Sequence, residues 1–222
     1  MTELLHISEL FYSIQGESTR AGLPCLFVRL SGCNLRCAYC DASYAWQEAG
    51  TPMAVAEILA WVGRISGVPV EITGGEPLLQ EAVQPLMQAL VLTGREVLLE
   101  TNGSLALGRV PDAVGIIMDI KCPDSGMAGH NLADNLEVMR DRQKRGCRDE
   151  IKFVLSSEAD FHWAREVVVQ ERLTASLPIL FSPVRPRLDP AVLARLLLEH
   201  RLPVRLQLQL HTLLWPEKTR GV

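Results

Sequence analysis

Leu26-Phe27-Val28-Arg29-Leu30-Ser31-Gly32-Cys33-Asn34-Leu35-Arg36-Cys37-Ala38-Tyr39-Cys40 is the stretch whose reading decides the fold. Its first part belongs to an apolar run over 25–30 that reads as a strand. Its second part is a C-x3-C-x2-C loop, so three of the chain's six cysteines fall within eight residues. Crowding of this kind in a long chain is not a disulfide framework and points to metal binding or catalysis. Three thiolates on one short loop can converge on one centre. A structural zinc ion wants four ligands, and the fourth would have to come from Cys25, Cys122, Cys147 or His130. An iron-sulfur cube held by three cysteines leaves one iron open to an outside ligand, which is a catalytic arrangement.

Working outward, further runs read as strands over 4–13, 69–73, 96–101, 114–120, 150–155, 177–182 and 203–210. Helical spacing of apolar residues lies between them. In 52–63, Met53, Val55, Ile58, Leu59 and Val62 fall mainly at steps of three and four, with Thr51 as N-cap and Pro52 in the first turn. Asp189-Pro190 opens a helix through Leu198 in the same way, and 80–93, 132–145 and 158–170 are the other helices, the last with Ser157 three residues before Asp160. Strand followed by helix about five times predicts a parallel sheet with helices outside. A closed eight-fold barrel typically needs about 250 residues, so 222 residues point to an α/β open partial (β/α) barrel, one domain over 1–222 with no interior linker.

Strand parity sharpens this picture, because alternate side chains face opposite sides. Glu71 pairs in parity with Thr73, Glu100 with Asn102, Asp119 with Lys121 and Glu150 with Lys152, while Arg29 lies opposite Val28 and Leu30. In 203–211, Val204, Leu206, Leu208 and Leu210 share one face and Arg205, Gln207, Gln209 and His211 the other. With the apolar faces under the helices, these polar residues line the inside. A sealed core would not hold so many polar groups, since each one buried without a partner costs about 1–3 kcal/mol. The interior is therefore expected to be a wet ligand cavity.

Composition sets the outer limits. With 48% hydrophobic and 22% charged residues, the chain can bury a core, which excludes disorder. Its 22 Lys+Arg against 26 Asp+Glu give a net charge of −4, which argues against direct nucleic-acid binding. The basic stretch Arg140, Arg142, Lys144, Arg145 and Arg148 reads as the solvated end of a helix. No apolar run reaches the roughly 18–20 residues of a membrane span, and the N-terminus has no basic leader, so a cytoplasmic protein without membrane contact is expected.

Thr73-Gly74-Gly75-Glu76-Pro77 ends the strand after the cysteine loop, at the edge where α/β folds place ligands. Adjacent glycines permit close backbone approach, and Glu76 with nearby backbone groups can receive a ligand's ammonium. With both motifs in place, the chain resembles the radical S-adenosylmethionine (SAM) superfamily, so a partial barrel of the radical SAM type is expected. The resemblance implies a [4Fe-4S] cluster on Cys33, Cys37 and Cys40, with SAM chelating the open iron and yielding a radical that abstracts hydrogen from substrate.

A narrower resemblance rests on Phe11-Tyr12-Ser13-Ile14-Gln15-Gly16-Glu17-Ser18, Arg29, Cys40-Asp41, Asp119-Ile120-Lys121-Cys122-Pro123 and Gln207-Leu208-Gln209-Leu210-His211. Together these are similar to the 7-carboxy-7-deazaguanine synthase family, from about residue 7 to the C-terminus. That family implies a lyase converting 6-carboxy-5,6,7,8-tetrahydropterin to 7-carboxy-7-deazaguanine with loss of ammonia, a step toward queuosine and tRNA modification, with SAM regenerated. By position, Ile14, Gln15, Gly16, Glu17, Arg29, Thr73 and His211 would bind the pterin. Gly75, Glu76, Asp119, Ile120, Lys121, Phe181, Ser182, Pro183 and Val184 would bind SAM. Arg29 suits a substrate carboxylate by bidentate pairing, and Gln15 offers donor and acceptor to a pterin edge. The resemblance also implies a homodimer and a reducing partner such as a flavodoxin.

One departure concerns Mg2+. The family's magnesium-binding hydroxyl lies two residues after the last cluster cysteine, where this chain has Ala42, which cannot ligate a hard cation. Either Ser43 substitutes, or substrate and water hold the ion, or magnesium dependence is weakened. The alternative activity is a radical SAM activase that makes a glycyl radical on a partner protein. A third reading is a non-enzymatic metal module, which requires a fourth protein ligand at the metal.

Overall fold

The computed structural model describes residues 4–175 and 177–222. Among these, one nine-stranded sheet runs in the order β3-β1-β2-β4-β5-β6-β7-β8-β9. Its strands are β1 (Leu4–Ile14), β2 (Pro24–Leu30), β3 (Thr51–Ala54), β4 (Val70–Gly74), β5 (Val97–Thr101), β6 (Val114–Ile120), β7 (Glu150–Leu155), β8 (Ile179–Pro183) and β9 (Arg205–Leu206). From β2 to β9 every neighbouring pair is parallel. The first and last strands do not meet, so the barrel is open. At one edge β1 and β3 add antiparallel strands to the expected parallel set.

Helices α2 (Val55–Val62), α3 (Val83–Leu92), α4 (Asp134–Lys144), α5 (Glu158–Gln170) and α6 (Pro190–Glu199) cover the outer face. Ile58, Leu86, Met139, Phe161 and Leu193 pack there against Val28, Ile72, Leu99, Ile116 and Phe153 in one hydrophobic core. Two helix starts follow from their caps. Ser157 accepts from Asp160 N–H at 3.1 Å, and Asp189 accepts from Ala191 N–H at 2.8 Å with Pro190 in the first turn. Two short helices, α1 (Tyr44–Gln47) and α7 (Leu210–Leu214), lie on the loops that close the cavity.

Three expectations fail locally. Thr51 is not an N-cap, because Thr51–Ala54 pairs with Leu4–Ile7 as an edge strand, where Pro52 removes no needed donor. The helix begins instead at Ala54, whose N–H donates to Glu57 at 2.7 Å. The strand expected over 203–210 shortens to Arg205–Leu206, both exposed, and the chain then turns inward to put Gln209 and His211 on the cavity wall. The basic stretch is not wholly solvated: Arg142 is buried, bonded to Asp149 at 2.8 and 3.1 Å and to the Val110 and Val114 carbonyls. That guanidinium thus satisfies buried carbonyls of the β5–β6 loop and of the first residue of β6.

Candidate active site

The loop between β1 and β2 folds into the barrel and plugs its lower end. Arg20 reaches Glu150 at 2.9 Å and Glu96 at 3.0 Å, and Thr19 N–H donates to Glu150 at 2.8 Å. Glu150 is therefore spent on this plug and does not line the cavity above it. With the bottom closed, the polar inner positions enclose a chamber of about 550 Å³, within the usual range for small-ligand sites.

Cys33, Cys37 and Cys40 all line this chamber, next to Gly75 and Lys121. Cys25, Cys122, Cys147 and His130 do not line it, so among the described residues none of them is placed as a fourth ligand. Cys25 and Cys122 are buried, with their thiols pushed upward by burial. Partial burial also raises the Cys37 thiol. Lys121 opposes this at Cys37, and its own ammonium is held charged by Asp119 at 2.6 Å against the cost of burial. The cysteine loop is braced from β4. Glu76 N–H donates to Gly32 O at 2.8 Å, and Gly75 N–H to Leu30 O at 3.2 Å. A Cβ on Gly75 would lie 2.0 Å from Gly32 O and 2.9 Å from Cys33 Cβ. Glycine is thus required at this position by the approach of two loops.

Glu76 is placed otherwise than expected. Its carboxylate is fully buried and accepts from Thr101 Oγ1, Asn102 N–H and Leu78 N–H at 2.7–3.0 Å. It ties β4 to the end of β5 and has no oxygen left for a ligand's ammonium. The Ile120 and Phe181 side chains belong to the outer core, Ser182 is buried with its Oγ unbonded, and Pro183 borders a separate small pocket. Of the segment assigned to SAM, Gly75, Asp119, Lys121 and Val184 line the chamber. Asp119 Oδ1 is buried without a hydrogen-bond partner, the kind of atom that a bound polar group would satisfy.

The seven expected pterin residues, Ile14, Gln15, Gly16, Glu17, Arg29, Thr73 and His211, all line the same chamber. Arg29 Nε donates to Glu9 at 2.7 Å, which leaves its two terminal nitrogens without a hydrogen bond among the described residues. Burial works against its charge, but Tyr44 and Glu9 outweigh burial and raise its pKa. Gln15 is more committed than its sequence position suggests: its Nε2 donates to Glu71 and its Oε1 accepts from Glu17 N–H at 2.7 Å. Lys152 bridges Glu17, at 2.7 Å, and Glu100, which also accepts from Thr73 Oγ1 at 2.8 Å. Burial would raise the Glu100 carboxyl, yet Lys152 holds it down to about 2. Burial and then Glu100 push Glu71 well above the ordinary carboxylate range.

Other contributors were not legible in the sequence. Glu9 is a hub, taking Arg29, the Tyr44 hydroxyl at 2.6 Å and Gly221 N–H at 3.0 Å. The C-terminal tail is thereby drawn over the chamber, where Lys218, Thr219 and Val222 join the wall. His211 Nδ1 packs so closely that a Cβ on Gly16 would approach it to 2.7 Å. Glu17, Asp41 and His211 each offer a ligand atom within 4.8 Å of the others. Ala42 lines the chamber without a side-chain oxygen to offer, and Ser43 is not part of the wall.

Comparison with known proteins gives the chain's family and fold. The radical SAM superfamily model matches residues 27–156, which span β2, the cysteine loop and the strands through β7. A 7-carboxy-7-deazaguanine synthase of Chlorobaculum tepidum is 47% identical, with 98% of this chain and 97% of that protein covered. One from Koribacter versatilis is 43% identical, over 98% and 100%. The crystal structure of QueE from Escherichia coli superposes with a TM-score of 0.72 over 93% of this chain and 94% of that one, and at 23% identity it speaks for the fold. The chain belongs to the radical SAM superfamily and, within it, to the 7-carboxy-7-deazaguanine synthase family.

Proposed function

We propose that this chain, as a single radical SAM domain over 1–222, converts 6-carboxy-5,6,7,8-tetrahydropterin to 7-carboxy-7-deazaguanine with release of ammonia. The observation that carries the reading is the opening of one closed-bottom chamber onto both the three cysteines and the free terminal nitrogens of Arg29. Three cysteines on the wall of one chamber fit a [4Fe-4S] cluster with an open iron, and the unpartnered Asp119 Oδ1 beside Lys121 fits a zwitterionic or hydroxylated ligand such as SAM. When bound, the cluster and SAM supply electron transfer and hydrogen-atom abstraction.

The chain's own residues do the rest. Arg29 pairs with the substrate carboxylate through its terminal nitrogens while Glu9 fixes its Nε, which sets the plane of the guanidinium. Lys152, held charged by Glu100 and Glu17, places a cation on the polar inner wall. Burial keeps the Glu71 carboxyl inclined to retain its proton, so it can remain neutral beside Gln15. The tail over the mouth restricts water. For Mg2+ the family's hydroxyl position does not fit, since the Ala42 side chain has no ligand atom; Glu17 and Asp41 are the carboxylates in this chamber that could supply oxygen ligands.

The covered chamber also weighs against a glycyl-radical activase, which needs an opening for a protein segment. A homodimer, a flavodoxin-like electron donor and a cytoplasmic location belong to the same reading; among the described residues no helix is long and apolar enough to cross a membrane. Anaerobic reconstitution with iron and sulfide, followed by SAM, reductant and the pterin, tests it by mass spectrometry. Formation of 7-carboxy-7-deazaguanine with SAM not consumed in proportion supports the proposal. Reductive SAM cleavage without that product overturns the substrate assignment and favours the activase.

A further inference from the structure

Among the described residues, five side-chain carboxyls line the chamber: Glu17, Asp41, Glu71, Glu100 and Asp119. Glu17 is taken by Lys152 and by Gln209 Nε2 at 3.1 Å, and Glu100 by Lys152 and by Thr73 Oγ1. Asp119 pairs with Lys121, and Asp41, next to Cys40, is exposed. Glu71 differs from all of these. It is almost wholly buried, its Oε2 accepts from Gln15 Nε2, and no described residue bonds its Oε1. Its height on the wall follows from strand register. Arg29 faces Thr73 across β2 and β4, and Phe27 faces Glu71 two residues nearer the plugged end. Two residues of strand advance about 7 Å. Glu71 therefore lies toward the floor of the chamber, one inward-facing position below the row of Arg29.

A carboxyl at that depth with an oxygen left over is placed for a ligand that reaches down from Arg29. In a 6-carboxypterin the carboxylate and the 2-amino group lie at opposite ends of the ring system, so a molecule held by Arg29 at one end carries its aminopyrimidine edge toward the floor. We propose that Glu71 reads that edge, pairing with the 2-amino group and ring N1, and so makes the chamber selective for a 2-amino ring over a 2-oxo ring. The inference rests on the pterin reading of the site, in which Arg29 holds the carboxylate. The edge offers a donor and an acceptor side by side. Lys152 is already shared by Glu17 and Glu100, so Glu71 has no ion pair of its own, and burial together with the Glu100 charge favours retention of its proton. A protonated carboxyl presents one donor together with acceptor lone pairs, which matches the edge. Gln15 uses one lone pair of Oε2, and Glu17 N–H on Gln15 Oε1 fixes that amide, so the carboxyl is held in one orientation. A 2-oxo ring exchanges both groups, with an oxygen in place of the amino group and a proton on N1. It sets acceptor against acceptor and donor against donor in a buried position.

Anaerobic calorimetric titration of the reconstituted holoprotein with 6-carboxy-5,6,7,8-tetrahydropterin and with its 2-oxo analogue tests the proposal through binding alone. Wild-type protein should hold the pterin about 100-fold more tightly than the analogue, since a site built to hydrogen-bond an amino group is left with unpaired polar groups by a ring that lacks it. Glu71→Leu should bring the two ligands within about threefold of each other. Glu71→Gln keeps a donor and an acceptor and should retain the preference; loss of the preference there overturns the pairing. A role limited to holding Gln15 would weaken both ligands alike and leave their ratio untouched, so a Glu71→Leu protein with the wild-type ratio also overturns the proposal. Equal binding of both ligands by wild-type protein does the same, and that measurement needs no variant. Binding of neither ligand by wild-type protein would instead overturn the pterin assignment of the chamber.

Discussion

Gly75→Ala exposes how the two motifs depend on each other. The added Cβ would sit 2.0 Å from Gly32 O, 2.6 Å from Gly32 C and 2.9 Å from Cys33 Cβ. Real Cβ contacts start near 3.0 Å, so the loops must part by about 1 Å, and the nearest atoms are backbone with no flexible end to swing aside. That movement breaks the Glu76 N–H to Gly32 O bond of 2.8 Å, which is worth about 1 kcal/mol. Overpacking adds about 1–3 kcal/mol. The sum, about 2–4 kcal/mol, corresponds to a Tm drop of about 4–16 °C for a chain of this size. Because the displaced residues carry Cys33, cluster loading should fall further than stability alone predicts. The assay is thermal unfolding of the metal-free protein alongside iron and sulfide content after reconstitution. A Gly75→Ala protein with native Tm and full cluster would refute the reasoning, while loss of SAM binding alone would show that Gly75 serves only the ligand.

Arg29→Ala should raise the KM for the pterin about 10- to 100-fold, from loss of charged hydrogen bonds worth about 1.5–3 kcal/mol, and leave the Kd for SAM within about twofold; equal losses in both would contradict the carboxylate assignment. Lys152→Met leaves the partly buried Glu100 without its cation and should cost about 1.5–3 kcal/mol at neutral pH. In the native chain Glu100 sits at about 2, below its unfolded value, so its contribution is present above the unfolded carboxylate pKa and fades as pH falls toward 2. Without Lys152 the sign reverses and acid relieves the strain, so urea unfolding should show a smaller deficit at pH 5 than at pH 7; a pH-independent deficit would refute this. Glu9→Gln keeps an acceptor but loses the charge, and both Arg29 and the Gly221 end of the tail should loosen, read as faster hydrogen exchange over 216–222 and a raised pterin KM; unchanged exchange would show that Glu9 does not hold the tail.

Much of the fold was legible because a parallel sheet writes its parity into the chain. Val28, Ile72, Leu99 and Ile116 face the helices, while Arg29, Thr73, Glu100 and Asp119 face the chamber, as alternation requires. The site was legible where chemistry is local, as in the three cysteines on one loop. It was illegible where partners are distant in sequence. Thr51-Pro52 carries a helix-start signature, but pairing with β1, some 45 residues away, overrides it. Alternation over 203–210 continues in residues that leave the sheet, since an extended chain and a paired strand share the same period. Glu76 looked free for a ligand because nothing local reveals Thr101 and Asn102 as its partners. The Glu9 hub joins residues 9, 29, 44 and 221, and no window of sequence contains that cluster.

The most direct test of the central claim is a crystal structure of the reconstituted protein with SAM and the pterin, with anomalous scattering measured at the iron edge. The account predicts one cluster on Cys33, Cys37 and Cys40 without a fourth protein ligand, and the pterin carboxylate on the terminal nitrogens of Arg29 in the same chamber. A metal held by a fourth side chain, or a pterin bound away from Arg29, would contradict it.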